Sequence, residues 1–107
     1  MFSIVIPTYN NLKYLELCLK SIKKNSKFDH EIIIHINEGI DGTKSYLENK
    51  DYKVTYTNKN EGVCVAFNKA AKKATKKYLV LAHDAMYFCP KWDIAFFNEL
   101  KNLPENS

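Results

Sequence analysis

Apolar residues occur in short runs that alternate with longer segments in which they recur every three or four positions. The short runs are Phe2 to Ile6, Glu31 to Ile36 and Tyr78 to Ala82, while Lys53 to Thr57 alternates between apolar and polar residues. Such β-branched and aromatic runs predict strands. We expect strands one and two to be buried, strand four to be buried on both faces, strand three to be half-exposed, and strand one to stop at Pro7.

The segments between these runs have the spacing of amphipathic helices. The first is predicted to end near Asn25, the second is short, and the third keeps an apolar side for about four turns, up to Ala74. A fourth follows the last strand. The predicted capping or first residues of the four helices are, in chain order, Asn10 or Asn11, Asp41, Glu61 and Pro90.

The predicted order of elements is βαβαβαβα, which is typical of a parallel sheet covered by helices. Right-handed crossovers and a doubly wound, Rossmann-like arrangement favour a four-stranded sheet in the order 3-2-1-4. Ligands of such folds bind where the strand order reverses, outside the carboxyl ends of the strands. We therefore expect an α/β domain with a ligand crevice between strands one and four.

Polar residues follow the two strands that flank this reversal. Pro7, Thr8 and Tyr9 end strand one, and His83 and Asp84 follow strand four. A carboxylate at this position can bind Mg²⁺ or Mn²⁺ with the help of a phosphate-bearing ligand, because Mg²⁺ sites often combine one or two carboxylates with substrate phosphates. The alternative is that Asp84 only caps a turn. His35, inside strand two, is expected to be a core histidine.

The fourth strand is unusually apolar for the edge of a four-stranded sheet. Exposed apolar edges invite pairing with other chains. Two explanations are open: the chain is a fragment whose further strands cover this edge, or it self-associates through it. We predict a homo-oligomer formed through the edge of strand four.

Length and composition limit the class of protein. With 107 residues and 46% hydrophobic residues, the chain forms one domain, residues 1–107. No apolar run approaches the roughly 20 residues of a membrane span, and nothing resembles an export signal, so we expect a cytoplasmic protein. A row of lysines on the third helix is expected to be a solvated face, with a phosphate or membrane patch as the alternative.

The absence of arginine and the spacing of the cysteines exclude further classes. All 16 basic residues are lysines, which disfavours nucleic-acid recognition because base and phosphate readout relies on arginine. The three cysteines lack the close pairs of a zinc site, and we expect buried thiols. With three glycines and no glycine-rich loop after strand one, NAD, ATP and nucleotidyltransferase sites are disfavoured.

Four segments in order resemble the family 2 glycosyltransferases, which have the GT-A fold. FSIVIPTYNNLKYLELCLKSI is similar to the family's first strand and its Pro-Thr-Tyr-Asn turn, and EIIIHINEGIDGT to its second strand and Asp-Gly-Thr helix start. NKNEGVCVAFNKAAKKATKKYLVLAHD is similar to its Asn-x-Gly, Ala-x-Asn and fourth-strand elements, which lead to the metal-binding DxD region. The resemblance covers nearly the whole chain.

The resemblance implies a nucleoside diphosphate sugar, UDP- or GDP-linked, with Mn²⁺ or Mg²⁺. Thr8 and Tyr9, with Pro7 and His83, would line the nucleotide site, and Asp84, matching the last Asp of DxD, would bind the metal. Near the base would lie Asn37 and Glu38, and beside the ribose and phosphates Asn60, Gly62 and Asn68.

Two departures from the family pattern affect this site. Ile36 stands where the family usually places a base-contacting Asp, so Asn37 or Glu38 would have to substitute, and Ala82 replaces the first acid of DxD. Members of the family usually continue into a second half with the acceptor site and the catalytic base. We therefore expect the donor-binding half of an inverting glycosyltransferase, with no catalytic residue and no transfer by this chain alone. The alternative is a non-catalytic binding or assembly module with a degenerate site.

Overall fold

The computed structural model describes residues 2–38, 42–48 and 50–101. Strands and helices alternate throughout, as the sequence pattern predicts. The elements are β1 (Phe2–Tyr9), α1 (Leu12–Asn25), β2 (Glu31–Asn37), α2 (Thr43–Glu48), β3 (Lys53–Thr57), α3 (Val63–Ala71), β4 (Tyr78–Leu81) and α4 (Trp92–Lys101).

The four strands form one parallel sheet in the order β3-β2-β1-β4. This confirms the predicted fold class and strand order. Because β1 lies between β2 and β4, the strand order reverses at its carboxyl end, beside Thr8 and Tyr9. The crevice expected from the topology therefore lies at this end of the sheet.

The core has a large part and a small part, one on each face of the sheet. Helices α1 and α4 cover the first face, where Leu15, Leu19 and Trp92 lie in one cluster with Ile6 of β1 and Ile34 of β2. Helix α3 covers the other face through a small cluster of Val5, Ile33 and Ala70. The second face becomes polar toward the carboxyl end of β2, where the cleft lies.

Strand β1 continues through Pro7 to Tyr9, so the prediction that it stops at Pro7 is wrong. The Val5 carbonyl accepts the N–H of Ala82, which shows that Val5, and with it Pro7, directs backbone groups toward β4. The pairing of β4 with β1 ends at Val5 and Leu81. Pro7 has no N–H for the next hydrogen bond of this ladder, so pairing with β4 stops there while β1 continues along β2 as far as Tyr9.

Helix α3 is shorter than predicted, with nine residues, Val63–Ala71. Its last turn tightens, since the N–H groups of Lys73 and Ala74 reach carbonyls three residues back, and the helix does not continue to Ala74. Helix α1 begins after Asn11, whose side chain makes no capping hydrogen bond, and Pro90 precedes the first residue of α4 by two positions. The predicted cap Asp41 lies outside the described residues.

Strand β4 is not buried on both faces as predicted: three of its four residues, Tyr78, Leu79 and Leu81, are exposed. It is an edge strand, and no helix covers it on the α3 side within the described residues. Of the cysteines, only Cys18 is buried, so the prediction of buried thiols is wrong for Cys64 and Cys89, which lie on exposed parts of the surface. Among the described residues, no helix combines the length and the apolar character that crossing a membrane requires.

Candidate functional site

A cleft of about 570 Å³ lies at the carboxyl ends of β1, β2 and β4, beside the start of α3. Eight of the ten residues predicted as site residues line it. These eight are Pro7, Thr8, Tyr9, Asn37, Asn60, Gly62, His83 and Asp84. The parallel topology brings them together, because the carboxyl ends of all strands meet at one edge of the sheet.

Asp84 lies at the centre of the strand reversal and is 6% exposed. Its Oδ2 accepts a hydrogen bond of 2.9 Å from the hydroxyl of Thr8, which is itself buried at the end of β1. The hydroxyl thus holds the carboxylate in place across the junction of β1 and β4. A buried carboxylate with one such partner can take a cation or a further donor from a ligand.

His83 is an exposed neighbour of this carboxylate. Its Nδ1 lies 3.2 Å from Oδ1 of Asp84 and also 3.2 Å from the backbone N–H of Ala85. That N–H can only donate, so Nδ1 of the neutral ring accepts it and carries no proton of its own. In its neutral form the ring therefore donates nothing to Asp84 and leaves Oδ1 available to the cleft, whereas a charged ring would pair with that oxygen.

A buried thiol lies beneath the same loop. Sγ of Cys18 lies 3.8 Å from the carbonyl oxygen of His83. Burial, and then the negative charge of Asp84, raise the pKa of the Cys18 thiol to about 12. Cys18 is thus a protonated, inert thiol and not a nucleophile.

Asn37 ends β2 and is 3% exposed, with its side chain on the wall of the cleft. Its Oδ1 accepts hydrogen bonds from the hydroxyl of Thr57, at 3.2 Å, and from the backbone N–H of Glu61, at 3.4 Å. Two donors from different segments therefore fix one end of its carboxamide.

The start of α3 forms the next part of the wall. Gly62 precedes the helix at φ 89°, a left-handed backbone conformation that glycine adopts without strain, and its N–H is held by Oδ1 of Asn60 at 3.0 Å. The backbone N–H groups of the first turn lie next to the cleft, a position that favours anionic groups such as phosphates.

The structure does not place two predicted residues on the cleft wall. Glu38 is half-buried at φ 67°, with its N–H bound to the Thr57 carbonyl and its own carbonyl near the Tyr56 hydroxyl. Asn68 lies exposed on α3. As ligand contacts, both stay predictions.

Four further residues line the cleft that the sequence reading missed: Asn11, Val63, Leu81 and Met86. Met86 lines the cleft because its sulfur accepts a hydrogen bond of 3.1 Å from the backbone N–H of His83. This hydrogen bond folds the loop after β4 back over the end of the strand. No pattern in the sequence indicates this turn, since Met86 carries no periodic or capping signal.

A divalent cation could be held at Asp84 only with help from a ligand. Among residues 2–38, 42–48 and 50–101, no group of three or more histidine, cysteine or acidic side chains is arranged to hold a metal ion. Ala82, at the place of the other acid, is buried and offers no oxygen ligand. A single carboxylate fits a cation that takes its remaining ligands from phosphates and water.

The parallel sheet and the cleft at its reversal define an α/β domain built to bind a ligand across the carboxyl ends of its strands. Residues 3–106 match the sequence profile of Glycosyl transferase family 2. The chain belongs to that family, which confirms the resemblance found in the sequence.

Comparisons with individual proteins agree with this assignment. An uncharacterized glycosyltransferase of Rickettsia bellii is 31% identical over 98% of this chain and 15% of its own length. S. aureus TarS 1–349 in complex with UDP has a TM-score of 0.78 at 26% identity, over 92% of this chain and 32% of that one.

A mannosyltransferase from Pyrobaculum calidifontis, PcManGT, in complex with GDP-Man and Mn²⁺, has a TM-score of 0.72 at 22% identity, over 88% of this chain and 30% of that one. The structural neighbours are GT-A-type glycosyltransferases, and they confirm the GT-A fold predicted for this chain. The chain spans 15% to 33% of the length of the curated relatives that it matches.

Proposed function

We propose that this chain binds a nucleoside diphosphate sugar, UDP- or GDP-linked, together with Mn²⁺ or Mg²⁺, as the donor-binding part of an inverting glycosyltransferase. The observation that carries the proposal is the buried carboxylate of Asp84, oriented by Thr8 at the wall of a cleft of about 570 Å³. Solved neighbours in complex with UDP, and with GDP-Man and Mn²⁺, support this ligand class.

The proposed metal site consists of Asp84 and the ligand's own diphosphate. Thr8 occupies Oδ2, and His83 in its neutral form would donate nothing to Oδ1, so that oxygen could bind a cation. When bound, the metal would neutralise charge on the departing diphosphate. The task of Thr8 is then to hold the carboxylate in one orientation, and that of His83 is to border the site on the solvent side.

The proposed nucleotide contacts follow the cleft from one end to the other. Tyr9, Pro7 and Thr8 would lie against the nucleoside, and the first turn of α3 after Gly62, with Asn60, would lie beside the ribose and phosphates. Ile36 is 1% exposed in the core and has no polar group, so a base can be recognised by hydrogen bonds from Asn37 but not from Ile36.

We further propose that this chain alone transfers no sugar. Inverting transfer needs a base that takes the proton of the acceptor hydroxyl as that hydroxyl attacks the anomeric carbon. The titratable side chains on the described cleft wall are Tyr9, His83 and Asp84, and the proposal assigns all three to nucleotide or metal. A transfer assay with UDP- and GDP-sugars and simple acceptors should show no product, and robust product would overturn this part.

Calorimetric titration of UDP and GDP, each with and without Mn²⁺, tests the proposal. We expect binding that requires Mn²⁺ and that Asp84→Asn weakens strongly. A matched control is Asp51→Asn, the same chemical change on an exposed carboxylate that lines a different cavity at the other end of the sheet. Absence of nucleotide binding by folded wild-type chain would contradict the proposal.

A second candidate is a non-catalytic assembly module that forms homo-oligomers through β4. The observation that favours it is the exposed apolar edge, where Leu79 and Leu81 are 45% and 52% exposed, beside the loss of one acidic metal ligand at Ala82. Such a module should bind no nucleotide and should oligomerise, whereas the donor-binding domain should bind nucleotide whatever its oligomeric state.

A further inference from the structure

A row of polar side chains leads from inside the sheet to the cleft on the face that α3 covers. Along β2, Ile33, His35 and Asn37 share this face because side chains alternate along a strand, and His35 and Asn37 pair with Thr55 and Thr57 on β3. His35 is fully buried and does not line the cleft. A buried titratable residue so placed, with no role in the proposed metal site, requires an explanation.

Hydrogen bonds connect His35 to the cleft wall through Thr57. Nδ1 of His35 lies 2.6 Å from the hydroxyl of Thr55, and its Nε2 lies 3.2 Å from the hydroxyl of Thr57. The Thr57 oxygen lies in turn 3.2 Å from Oδ1 of Asn37 and 3.0 Å from the carbonyl oxygen of Lys59.

The direction of these hydrogen bonds follows from counting protons. The Thr57 hydroxyl has one proton, which it shares between two oxygens that can only accept, on Asn37 and Lys59. Because its proton points to these oxygens, the Thr57 hydroxyl accepts a hydrogen bond from Nε2 of His35. Nε2 therefore carries the proton of the neutral ring, and Nδ1 accepts a hydrogen bond from the hydroxyl of Thr55. Each ring nitrogen of neutral His35 then has a hydrogen-bond partner. Burial, and then the charge of Lys69, lower the pKa of His35, in agreement with a neutral imidazole.

A backbone donor fixes the orientation of the Asn37 carboxamide. The backbone N–H of Glu61 is a donor in any state, and it points at the same oxygen as Thr57. Rotating the carboxamide by half a turn would set its NH₂ group against the Glu61 N–H, which cannot accept a hydrogen bond. Its oxygen is thus engaged on the protein side, and its N–H donors are what Asn37 can offer to the cleft.

We propose that His35 and Thr57 are positioning residues that hold Asn37 with its amide N–H groups toward the cleft, where they donate to a carbonyl oxygen of the nucleobase. This rests on the proposed nucleotide binding. Asn37 lies on β2 and Asp84 follows β4, so β1 separates them by two strand spacings, about 10 Å. With the diphosphate at Asp84, the nucleoside extends toward Asn37, and its base is the part that reaches the amide.

Binding of ligands with and without a base tests the role of Asn37. We expect Asn37→Ala to weaken binding of UDP or GDP, measured with Mn²⁺, by roughly threefold to tenfold, the usual effect of one lost hydrogen bond. Asn37→Asp, which puts an acceptor in place of the donor, should weaken it by more. Binding of inorganic pyrophosphate with Mn²⁺, a probe that has no base, should stay unchanged in both variants.

The positioning role has its own matched pair and its own spectroscopic readout. Thr57→Val removes the hydroxyl at nearly constant volume and should weaken nucleotide binding severalfold, whereas Thr57→Ser should restore it. Circular dichroism melting of each variant checks that it folds. The imidazole ¹⁵N shifts of His35 in the ligand-free wild type should show Nε2 protonated and Nδ1 unprotonated.

The outcomes separate this inference from the proposed function. If wild type binds UDP or GDP and the Asn37 variants bind them equally well, the base contact is wrong while nucleotide binding stands. The same conclusion follows if the variants lose as much affinity for pyrophosphate as for the nucleotide. A proton on Nδ1 in place of Nε2, or equal binding by Thr57→Val and Thr57→Ser, would overturn the positioning role alone. If wild type binds neither nucleotide, both proposals are wrong.

Discussion

At the amino end of the sheet the carboxylate of Asp93 accepts hydrogen bonds from four groups, whereas at the carboxyl end Asp84 accepts one from Thr8. The donors to Asp93 are the backbone N–H groups of Lys27, Phe28 and Ile94 and Nε2 of His30, all between 2.8 and 3.0 Å. The other ring nitrogen of His30 accepts the N–H of Phe2.

Glu31 gives the amino end a second fully engaged carboxylate. It bonds to the hydroxyls of Ser3 and Thr75, to the backbone N–H of Thr75 and to the ammonium group of Lys53. It thereby joins the starts of β1, β2 and β3 to the segment before β4. Donors of the protein itself occupy both carboxylates, and we infer that the hydrogen bonds at this end of the sheet stabilise the fold.

The carboxyl end is organised in the opposite way. Asp84 is about as buried as the carboxylates at the other end, yet it lines a cleft, and the hydrogen bond that holds it comes from the single hydroxyl of Thr8. Burying a charge with few partners costs free energy. The comparison teaches that a buried carboxylate marks a candidate ligand site when its hydrogen-bonding capacity is left open, and that burial alone does not distinguish the two cases.

The largest expected effect is on stability at the amino end. Asp93→Ala would leave four part-buried donors without their acceptor, and we expect a loss of about 3–5 kcal/mol in the free energy of unfolding, measured by urea denaturation. Lys27→Ala is the control, because Lys27 donates through its backbone and the substitution keeps that bond. Equal stability of wild type and Asp93→Ala would show that the carboxylate is not a structural acceptor.

The next effect is on binding at the carboxyl end. Asp84→Asn keeps a carbonyl oxygen for Thr8 but loses the charge, so we expect Mn²⁺-dependent nucleotide binding to weaken by roughly 10- to 100-fold while stability changes by less than about 1 kcal/mol. Titration calorimetry and urea denaturation of the same variant measure both. A large loss of stability with little loss of binding would reverse the comparison between the two ends.

A pH titration should separate the two ends further. Burial by itself would raise the pKa of Glu31, but its hydrogen bonds with Lys53, Ser3 and Thr75 outweigh burial and lower the pKa from 4.5 to about 2. Because the folded-state pKa is the lower one, the stabilisation is complete above about pH 4.5 and is lost as the pH falls toward 2.

Solvent screens part of this effect, because Lys53 is 44% exposed, so we expect about 1–2 kcal/mol from Glu31. The measurement is urea denaturation of wild type and Glu31→Gln between pH 6 and about pH 2.5, near the lower end of the titration. The difference in stability between the two proteins should shrink as the pH falls. A difference that stays constant across this range would show that Glu31 does not titrate with the fold.

The sequence was sufficient for the fold and for most of the cleft, because both depend on periodic patterns and on strand ends. Parallel pairing followed from the helical crossovers, strand order from their right-handedness in a doubly wound arrangement, and the position of Asp84 from its place after β4. The hydrogen bonds that distinguish Asp84 from Asp93 could not be predicted, since most of their donors are more than 60 residues away in the sequence. The path of β1 through Pro7 likewise depends on where β4 ends.

His35 shows the same limit at a single residue. Its place within an apolar strand correctly predicts a buried histidine, but its partners Thr55 and Thr57 lie on β3 and become neighbours only through the strand register. Glu61, which fixes Asn37, reaches it through a backbone N–H that no side-chain pattern reports. Local pattern thus predicts which residues are buried, and tertiary contacts decide what the buried polar groups do.

The smallest expected effect concerns the lateral edge of the sheet, where β4 leaves both apolar side chains and backbone groups open. Leu79 and Leu81 share one face of β4, as alternate residues of a strand do, and both are about half exposed. Pairing of β4 with β4 of a second copy would cover both, with roughly 1 kcal/mol from each leucine.

We therefore expect concentration-dependent dimers in sedimentation velocity and a dissociation constant raised at least tenfold by Leu79→Lys with Leu81→Lys. Leu17→Lys is a matched control, because Leu17 is 55% exposed but lies on α1, away from the edge. If wild type stays monomeric at the highest concentrations, β4 does not pair with itself. The exposed edge of β4 would then differ from the carboxylate of Asp84, because only Asp84 would have a binding partner in solution.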